Sequence, residues 1–172
     1  MTLANLPISE YPAYYQKYID QLPQDDLLSL LNGQGKEMSS FLEGLNQDDL
    51  KKHYAPGKWT VAQVLQHLFD TERIFQYRAL CISRGDKTPL PGFDQDSYVP
   101  ASFATERKGE DLLEEYKAIR ASGICLFKSF SNTMLKEKGV SSGGELSVAA
   151  AGFIIAGHEK HHLRLFQSHY KL

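Results

Sequence analysis

Four long segments of this chain carry apolar residues at intervals of three and four, and this period constrains the fold more than any other feature. In the first of them the recurring positions are Leu27, Leu28, Leu31, Met38, Phe41, Leu42 and Leu45. Such spacing places an apolar stripe along one side of an α-helix. Strand-like alternation is nearly absent. The pattern therefore predicts an all-α fold, an up-down four-helix bundle with one short extra N-terminal helix and one long loop.

The second of these helices has the clearest boundaries. Thr60 and Gln63 form a T-x-x-Q capping box, in which each side chain accepts a hydrogen bond from the backbone of the other residue. From there the helix is expected to run to about Arg84, where Gly85 can end it.

The other helices have weaker boundary signals. Asp25 or Asp26 can cap the first long helix. The third is expected over residues 108–131. The fourth is expected to begin after Ser147, a good N-cap residue, and to reach about residue 169.

Two segments lie outside the four helices. Residues 12–22 form a short amphipathic stretch whose tyrosines, together with Tyr11, are expected to face the core. Residues 85–104 form a proline-rich loop, and loops of this length in small domains are usually functional or disordered. We expect this loop to fold back over the functional site, through Asp94, Asp96 or Tyr98.

Composition limits the possible partners. The chain has 172 residues, of which 42% are hydrophobic and 23% are charged, as in an ordinary globular protein. This length predicts one domain over residues 1–172. The net charge is −2 and there is no block of lysine and arginine. These features argue against nucleic acid as a partner.

The sequence gives no sign of export or membrane insertion. Residues 1–10 lack a basic start followed by an apolar run. The longest apolar stretch, residues 148–157, is too short to cross a bilayer. Cys81 and Cys125 form no C-x-x-C pair and are read as free thiols in a reducing compartment. A cytoplasmic protein without a membrane partner is expected.

Histidines indicate the function. His158 and His162 stand four apart, so on a helix they share one face, and that face is otherwise apolar. A buried imidazole pair is costly unless something binds it. His67 lies on a partly polar stripe of the second helix and can complete a three-nitrogen metal site with an open position. His161 points about 100° away from His162 and is not expected to be a ligand.

A protease motif overlaps the histidine pair. The residues His-Glu-Lys-His-His match H-E-x-x-H, in which the glutamate is the general base. The extended motif would need glycine and histidine where the chain has Leu165 and Ser168. Glu159 is therefore expected to face solvent or to lie behind the ligands, not to act as a base.

The residues around these histidines resemble a known family. The stretch 56–63 leading into residues 67–70, paired with residues 157–162, is similar to the DinB/YfiT-like superfamily, whose members are provisionally named metal-dependent hydrolases. The order and spacing are similar over nearly the whole chain. Residues 70–80 and 84–93 resemble one subgroup of that superfamily.

The resemblance implies a four-helix bundle with a divalent metal ion, Zn or Ni, held by three histidines that match His67, His158 and His162. It also implies a homodimer. Characterised branches of the family include bacillithiol S-transferases and mycothiol-dependent maleylpyruvate isomerases, so a low-molecular-weight thiol is a possible cosubstrate here.

Three functions are therefore open. The first is a metal-dependent transferase that joins a small thiol to a small electrophile. The second is a metal-dependent hydrolase of a small molecule, and the third is a non-catalytic bundle that binds metal or ligand. No catalytic side chain is assigned, because the reacting group would be water or thiolate on the metal. The candidates for substrate binding are Asp70, Thr71, Arg78 and Tyr98. Arg78 could hold a substrate carboxylate or pair with Glu72 or a loop aspartate.

Overall fold

The structure is a computed structural model that describes residues 1–172, and most of the chain is helical. The helices are α1 (Gln16–Ile19), α2 (Leu27–Glu43), α3 (Gln47–Lys51), α4 (Val61–Ser83), α5 (Gln95–Ala101), α6 (Gly109–Lys128), α7 (Asn132–Leu135) and α8 (Val148–Leu165). Short 3₁₀ turns cover Leu3–Asn5, Ile8–Glu10, Ala13–Tyr15 and Ala104–Glu106, and a π-helical turn covers Phe166–Tyr170. No helix combines the length and the apolar character needed to cross a membrane.

The capping box of α4 is confirmed. The Thr60 amide donates to Gln63 Oε1 at 2.8 Å, and the Gln63 amide donates to Thr60 Oγ1 at 3.3 Å. At the other end, Gly85 has a φ of +78°, which glycine adopts without strain. The sequence thus predicts both ends of this helix, which carries His67, to within a residue or two.

The other predicted caps also form. Asp26, not Asp25, caps α2 by accepting from the amides of Leu28 and Ser29. Ser147 caps α8 by accepting from the Ala150 amide at 3.0 Å. These caps satisfy amides that the first turn of a helix leaves without partners.

The long helices α2, α4, α6 and α8 form the predicted four-helix bundle. Helix α4 packs against α6 and α8, and α2 packs against the same two helices. Helices that follow one another, α2 and α4 or α6 and α8, therefore lie across the bundle diagonal. The sequence signals do not predict this order, because an apolar stripe does not identify the helix that covers it.

A buried polar layer divides the core of the bundle. One apolar cluster includes Phe75, Phe127 and Ala156, and the other includes Leu68, Leu112 and Leu163. Between them each long helix contributes buried polar side chains, which are Gln34, His67, Thr71, Glu72, Arg120, His158, Glu159 and His162. Burying so many polar groups is unfavourable unless they bind each other or a ligand.

A small β-hairpin, which the sequence does not predict, adds to the predicted helical bundle. Strand β1 (Lys138–Ser141) pairs antiparallel with β2 (Gly144–Ser147). Their turn consists of Ser142 and Gly143, with φ of +52° and +80°. Each strand has only four residues, which is too few for an alternation of apolar and polar residues to predict the hairpin. The Ser-Gly dipeptide was the available signal.

The loop over residues 85–104 is anchored and partly helical. It contains α5, and Leu90 docks on the hairpin: its amide donates to the Val140 carbonyl at 2.9 Å, and its carbonyl accepts from the Ser142 amide at 3.0 Å. The loop is thereby held beside the bundle, where Asp94 and its neighbours line a cavity together with His67 and His158.

Candidate metal centre

The three predicted histidines meet in the polar layer. His67 comes from α4, and His158 and His162 come from adjacent turns of α8. His158 Nε2 lies 3.1 Å from His67 Nε2 and 3.2 Å from His162 Nε2. One nitrogen from each ring lies within 4.8 Å of the others. Helices α4 and α8 pack side by side, which allows residues 91 apart to converge.

The nitrogen spacing fits a metal ion. Three nitrogens bound to one ion at about 2.05 Å in tetrahedral geometry would stand about 3.3 Å apart. The observed pairs at 3.1 and 3.2 Å are close to that value. Nitrogen is a donor that Zn²⁺ and Ni²⁺ both accept, so the ligand set does not identify the metal.

All three imidazoles are held neutral, which is the form that binds metal. Burial lowers the pKa of His67 to about 4. Burial, followed by repulsion from the neighbouring histidines, lowers the pKa of His158 and His162 well below the ordinary value. The Nδ1 atom of His162 is buried without a hydrogen-bond partner.

Aromatic packing orients the rings. The Tyr18 ring meets His158 edge-on at 5.2 Å between centroids, and the Trp59 ring lies 5.2 Å from that of His67. His161 lies outside the triad, where it packs against Tyr18 and its Nδ1 is 3.4 Å from the side chain of Gln21. Trp59 immediately precedes the capping box of α4, so the same segment sets the helix start and the position of the His67 ring.

A cavity of about 300 Å³ opens onto His67 and His158. Much of its wall is aromatic, and the loop and the hairpin supply one side of it. Its other lining residues are Tyr14, Tyr15, Tyr18, Thr71, Phe75, Gly92, Phe93, Asp94, Gln95, Ser142 and Ile154. The cavity has the size and apolar character of a site for a small molecule.

A second cavity, of about 280 Å³, reaches the triad at His162. Trp59, Lys58 and Asp96 contribute to its wall, and Gln95 lines both cavities. The triad is therefore accessible from two directions, which are separated by the start of α5.

The structure separates the predicted substrate-binding residues. Thr71 lines the first cavity, where its Oγ1 is buried without a hydrogen-bond partner. Asp70 and Tyr98 instead line a shallow surface depression beside Arg107. Asp70 accepts a hydrogen bond from Gln66 at 3.0 Å. The structure does not bring Asp70 and Tyr98 to the triad.

Arg78 is almost fully buried, with 2% of its surface exposed, and forms neither of the predicted ion pairs. Its Nη2 donates to the Pro91 carbonyl at 2.9 Å and to Ser142 Oγ at 3.1 Å. The guanidinium lies over the ring of Phe75, which lines the first cavity. Arg78 therefore stands directly behind the cavity wall.

Glu159 does not face solvent, contrary to one of the two predicted positions. Its side chain is 3% exposed and accepts hydrogen bonds from Arg120 and from the Tyr116 hydroxyl. Arg120 also pairs with Glu72 at 2.8 Å. Burial is the main cause that raises the pKa of Glu159, to about 7. Its carboxylate is engaged inside the polar layer, which does not suit the role of a protease base.

Several cavity residues were not predicted from the sequence. Tyr14 is 60% exposed and lines the cavity instead of the core, whereas Tyr11 lies in the core as expected. Tyr15 and Tyr18 line the cavity as well, although Tyr15 also packs on the apolar core and Tyr18 is buried. A helical period cannot distinguish a side chain that faces the core from one that faces a cavity beside it. Ser142 was missed because the hairpin that carries it was missed.

Comparisons with known proteins agree with this geometry. The family model described as "DinB superfamily" matches residues 30–166. A protein of Oceanobacillus iheyensis, provisionally named a metal-dependent hydrolase, is 28% identical over 128 residues, which cover 73% of each chain. A Geobacillus kaustophilus protein with the same provisional name is 25% identical over 140 residues, 78% of this chain and 77% of its own.

Solved structures show the same fold. YfiT from Bacillus subtilis, described as a probable metal-dependent hydrolase with an unusual four-helix bundle topology, superposes with a TM-score of 0.73 at 16% identity, over 96% of this chain and 91% of its own. A mycothiol-dependent maleylpyruvate isomerase superposes with a TM-score of 0.68 at 13% identity, over 84% of this chain and 60% of the isomerase. The bundle, the buried triad and a family model that spans most of the sequence lead to one conclusion: this chain belongs to the DinB superfamily.

Proposed function

We propose that this chain is a metal-dependent hydrolase that acts on a small molecule. One observation carries the proposal: three buried, neutral imidazoles converge where a cavity of about 300 Å³ reaches two of them, His67 and His158. The provisional names of the relatives favour the same activity. The metal ligands in this proposal are His67, His158 and His162.

The residues around the triad suit this role. His67, His158 and His162 would hold a divalent metal ion, which when bound would supply Lewis-acid chemistry and lower the pKa of a water molecule towards about 7. His67, His158 and His162 hold their lone pairs ready at neutral pH because they are not protonated there. The aromatic wall would bind the apolar part of a substrate and exclude bulk water from it.

A second candidate function is transfer of a small thiol to an electrophile. The observation that favours it is the second cavity, which reaches His162 from the other side of Gln95. Two cavities on one triad could hold two substrates at once. The fold shared with a mycothiol-dependent isomerase is compatible with this candidate, but that likeness concerns the fold alone.

An activity screen can separate the two candidates. The chain, loaded with Zn²⁺ or Ni²⁺, is offered esters, amides and small electrophiles, each with and without a low-molecular-weight thiol. Hydrolysis that needs the metal and no thiol supports the hydrolase. Turnover that occurs only when the thiol is present rejects it in favour of the transferase.

Matched variants locate the activity. His162→Ala should lose both the bound metal and the turnover, whereas His161→Ala, one residue away and outside the triad, should keep both. Glu159→Gln should keep turnover within roughly tenfold, because loss of a general base typically costs about 10²–10⁴. The proposed site would be contradicted if His162→Ala kept its full metal content. It would also be contradicted if Glu159→Gln lost turnover by about 10²–10⁴.

A further inference from the structure

Arg78 is a buried cation without a carboxylate partner. The other deeply buried arginine, Arg120, pairs with Glu72 and Glu159. Arg78 has only the neutral Pro91 carbonyl and the Ser142 hydroxyl as hydrogen-bond acceptors. A buried charge is unfavourable unless an opposite charge accompanies it. The guanidinium lies 4.8 Å from the centre of the Phe75 ring and 6.0 Å from that of Phe93, and both rings line the first cavity.

Two hydroxyl groups connect this cation to the cavity. Ser142 Oγ accepts a hydrogen bond from Arg78, so its own hydrogen remains available to another acceptor. The Tyr15 side chain also lies near Arg78: burial raises the pKa of Tyr15, and the positive charge of Arg78 opposes part of that rise. Both side chains line the cavity. The cavity wall therefore presents two O–H donors that are polarised by a buried positive charge.

Ser142 occupies a conformation that its residue type rarely adopts. Its φ is +52° in the turn of the hairpin, where glycine or asparagine fits more readily. Backbone strain of this kind is concentrated at binding and catalytic sites. The turn is also held in place by the bond from the Ser142 amide to the Leu90 carbonyl at 3.0 Å. The fold thus fixes a serine hydroxyl at the cavity mouth.

We infer that the hydroxyls of Ser142 and Tyr15, backed by the Arg78 guanidinium, bind the carboxylate of a small substrate whose apolar part lies against the aromatic wall. The inference rests on the proposed function, because it names a substrate class for the same cavity. Asp94 is the acidic residue of the cavity lining. Its carboxylate accepts from the Asp96 amide at 3.0 Å at the start of α5.

Two matched probes test the inference. The carboxylate 3-phenylpropionate and its neutral analogue 3-phenylpropanamide are titrated calorimetrically into the Zn²⁺-loaded chain and into the chelator-treated chain. We expect the carboxylate to bind at least about tenfold more tightly than the amide in both states, because hydrogen bonds to charged groups are the stronger ones. A preference seen only with Zn²⁺ would mean that the metal alone holds the carboxylate, and would overturn the inference.

Three variants assign the preference to residues. Ser142→Gly removes the hydroxyl and relieves the turn, so folding should be preserved, and Tyr15→Phe removes one oxygen. Each should weaken carboxylate binding at least about tenfold and amide binding less than about threefold. Tyr77→Phe makes the same chemical change on an exposed side chain that does not line the cavity, and it should leave the preference unchanged. A preference that survives both Ser142→Gly and Tyr15→Phe, or no measurable binding of 3-phenylpropionate at millimolar concentration, would also overturn the inference.

The experiment keeps this inference separate from the proposed function. If the chain binds no metal but still prefers the carboxylate after chelation, the anion site stands and the hydrolase proposal fails. If the chain hydrolyses neutral esters with Zn²⁺ but shows no preference for the carboxylate, the hydrolase proposal stands and the anion site fails.

Discussion

Single residues in the polar layer determine what the bundle can bind. Arg120 satisfies Glu72 and Glu159 together, so two buried carboxylates share one cation. The neighbouring histidines have no comparable charged partner and remain neutral. The layer therefore holds one group of charged side chains that are paired with each other and another group, the histidines, that an added cation would complete.

His67 should make the stability of the metal-free chain depend on pH. Its pKa is lowered from 6.5 to about 4 by burial, so between these values the unfolded chain binds a proton that the folded chain does not. The stabilisation is fully present above pH 6.5 and is lost as the pH falls towards 4. Over this pH range the free energy of unfolding should fall less in His67→Gln than in the wild type, and the difference should reach up to roughly 3 kcal/mol. Urea unfolding of chelated protein at several pH values measures the difference.

The prediction would be contradicted if the free energy of unfolding fell equally with falling pH in the wild type and in His67→Gln. An equal fall would show that His67 binds its proton as readily in the folded chain as in the unfolded chain. Comparing the two proteins removes the opposite contribution of Glu159, whose pKa is raised and which is present in both.

At the scale of the elements, the short helix α1 is seated directly on α8. A Cβ atom added at Gly157 would lie 2.5 Å from the Tyr18 carbonyl oxygen, which is too close for any real contact. Tyr18 packs on His158 and lines the cavity. Gly157 therefore allows α1 to approach the ligand helix and to complete the site.

Gly157→Ala should destabilise the chain by about 1–3 kcal/mol, because the obstacle is backbone and cannot rotate away. The same change at Gly33, an exposed position of α2 with no atom within 4 Å, should be neutral or stabilise by up to about 1 kcal/mol. Urea unfolding of the two variants measures both effects. A Gly157→Ala variant as stable as Gly33→Ala would show that α1 is free to shift outward.

The elements also show how far the sequence could predict the structure. Helix ends were predictable where a side chain closes the first turn, as at Thr60 and Ser147, because capping is a local interaction. The hairpin and α5 were not predictable. Each is too short to show a period, and each is held by contacts from distant residues, such as that of Leu90 with Val140.

At the scale of the whole molecule, the triad joins two of the four helices. The i, i+4 spacing on α8 predicted the pair His158 and His162, while the third member depends on α4 packing beside α8. The order of helices around the bundle is not encoded in any single stripe, so His67 could be selected only from the polar groups on its own stripe, and the resemblance to a family then implied the same residue. The homodimer and the identity of the metal stay predictions.

Metal binding should therefore stabilise the whole fold. Zn²⁺ at about 100 times its Kd contributes about 2.7 kcal/mol, which raises the Tm of a domain of this size by about 5–10 °C. His158→Ala should show no such rise, whereas His169→Ala, an exposed histidine near the C-terminus, should respond like the wild type. Thermal unfolding followed by circular dichroism, with Zn²⁺ and with chelator, measures the shifts. An equal rise in His158→Ala would place the ion elsewhere.

The separation of the ligands along the chain also has a consequence for biosynthesis. His67 leaves the ribosome 91 residues before His158. A nascent chain that has already folded α4 can offer one ligand but cannot hold an ion in a three-nitrogen site. The ion can be captured only after α8 has been made and has docked beside α4. A chain with metal in this site would thus be one in which α8 has already docked beside α4.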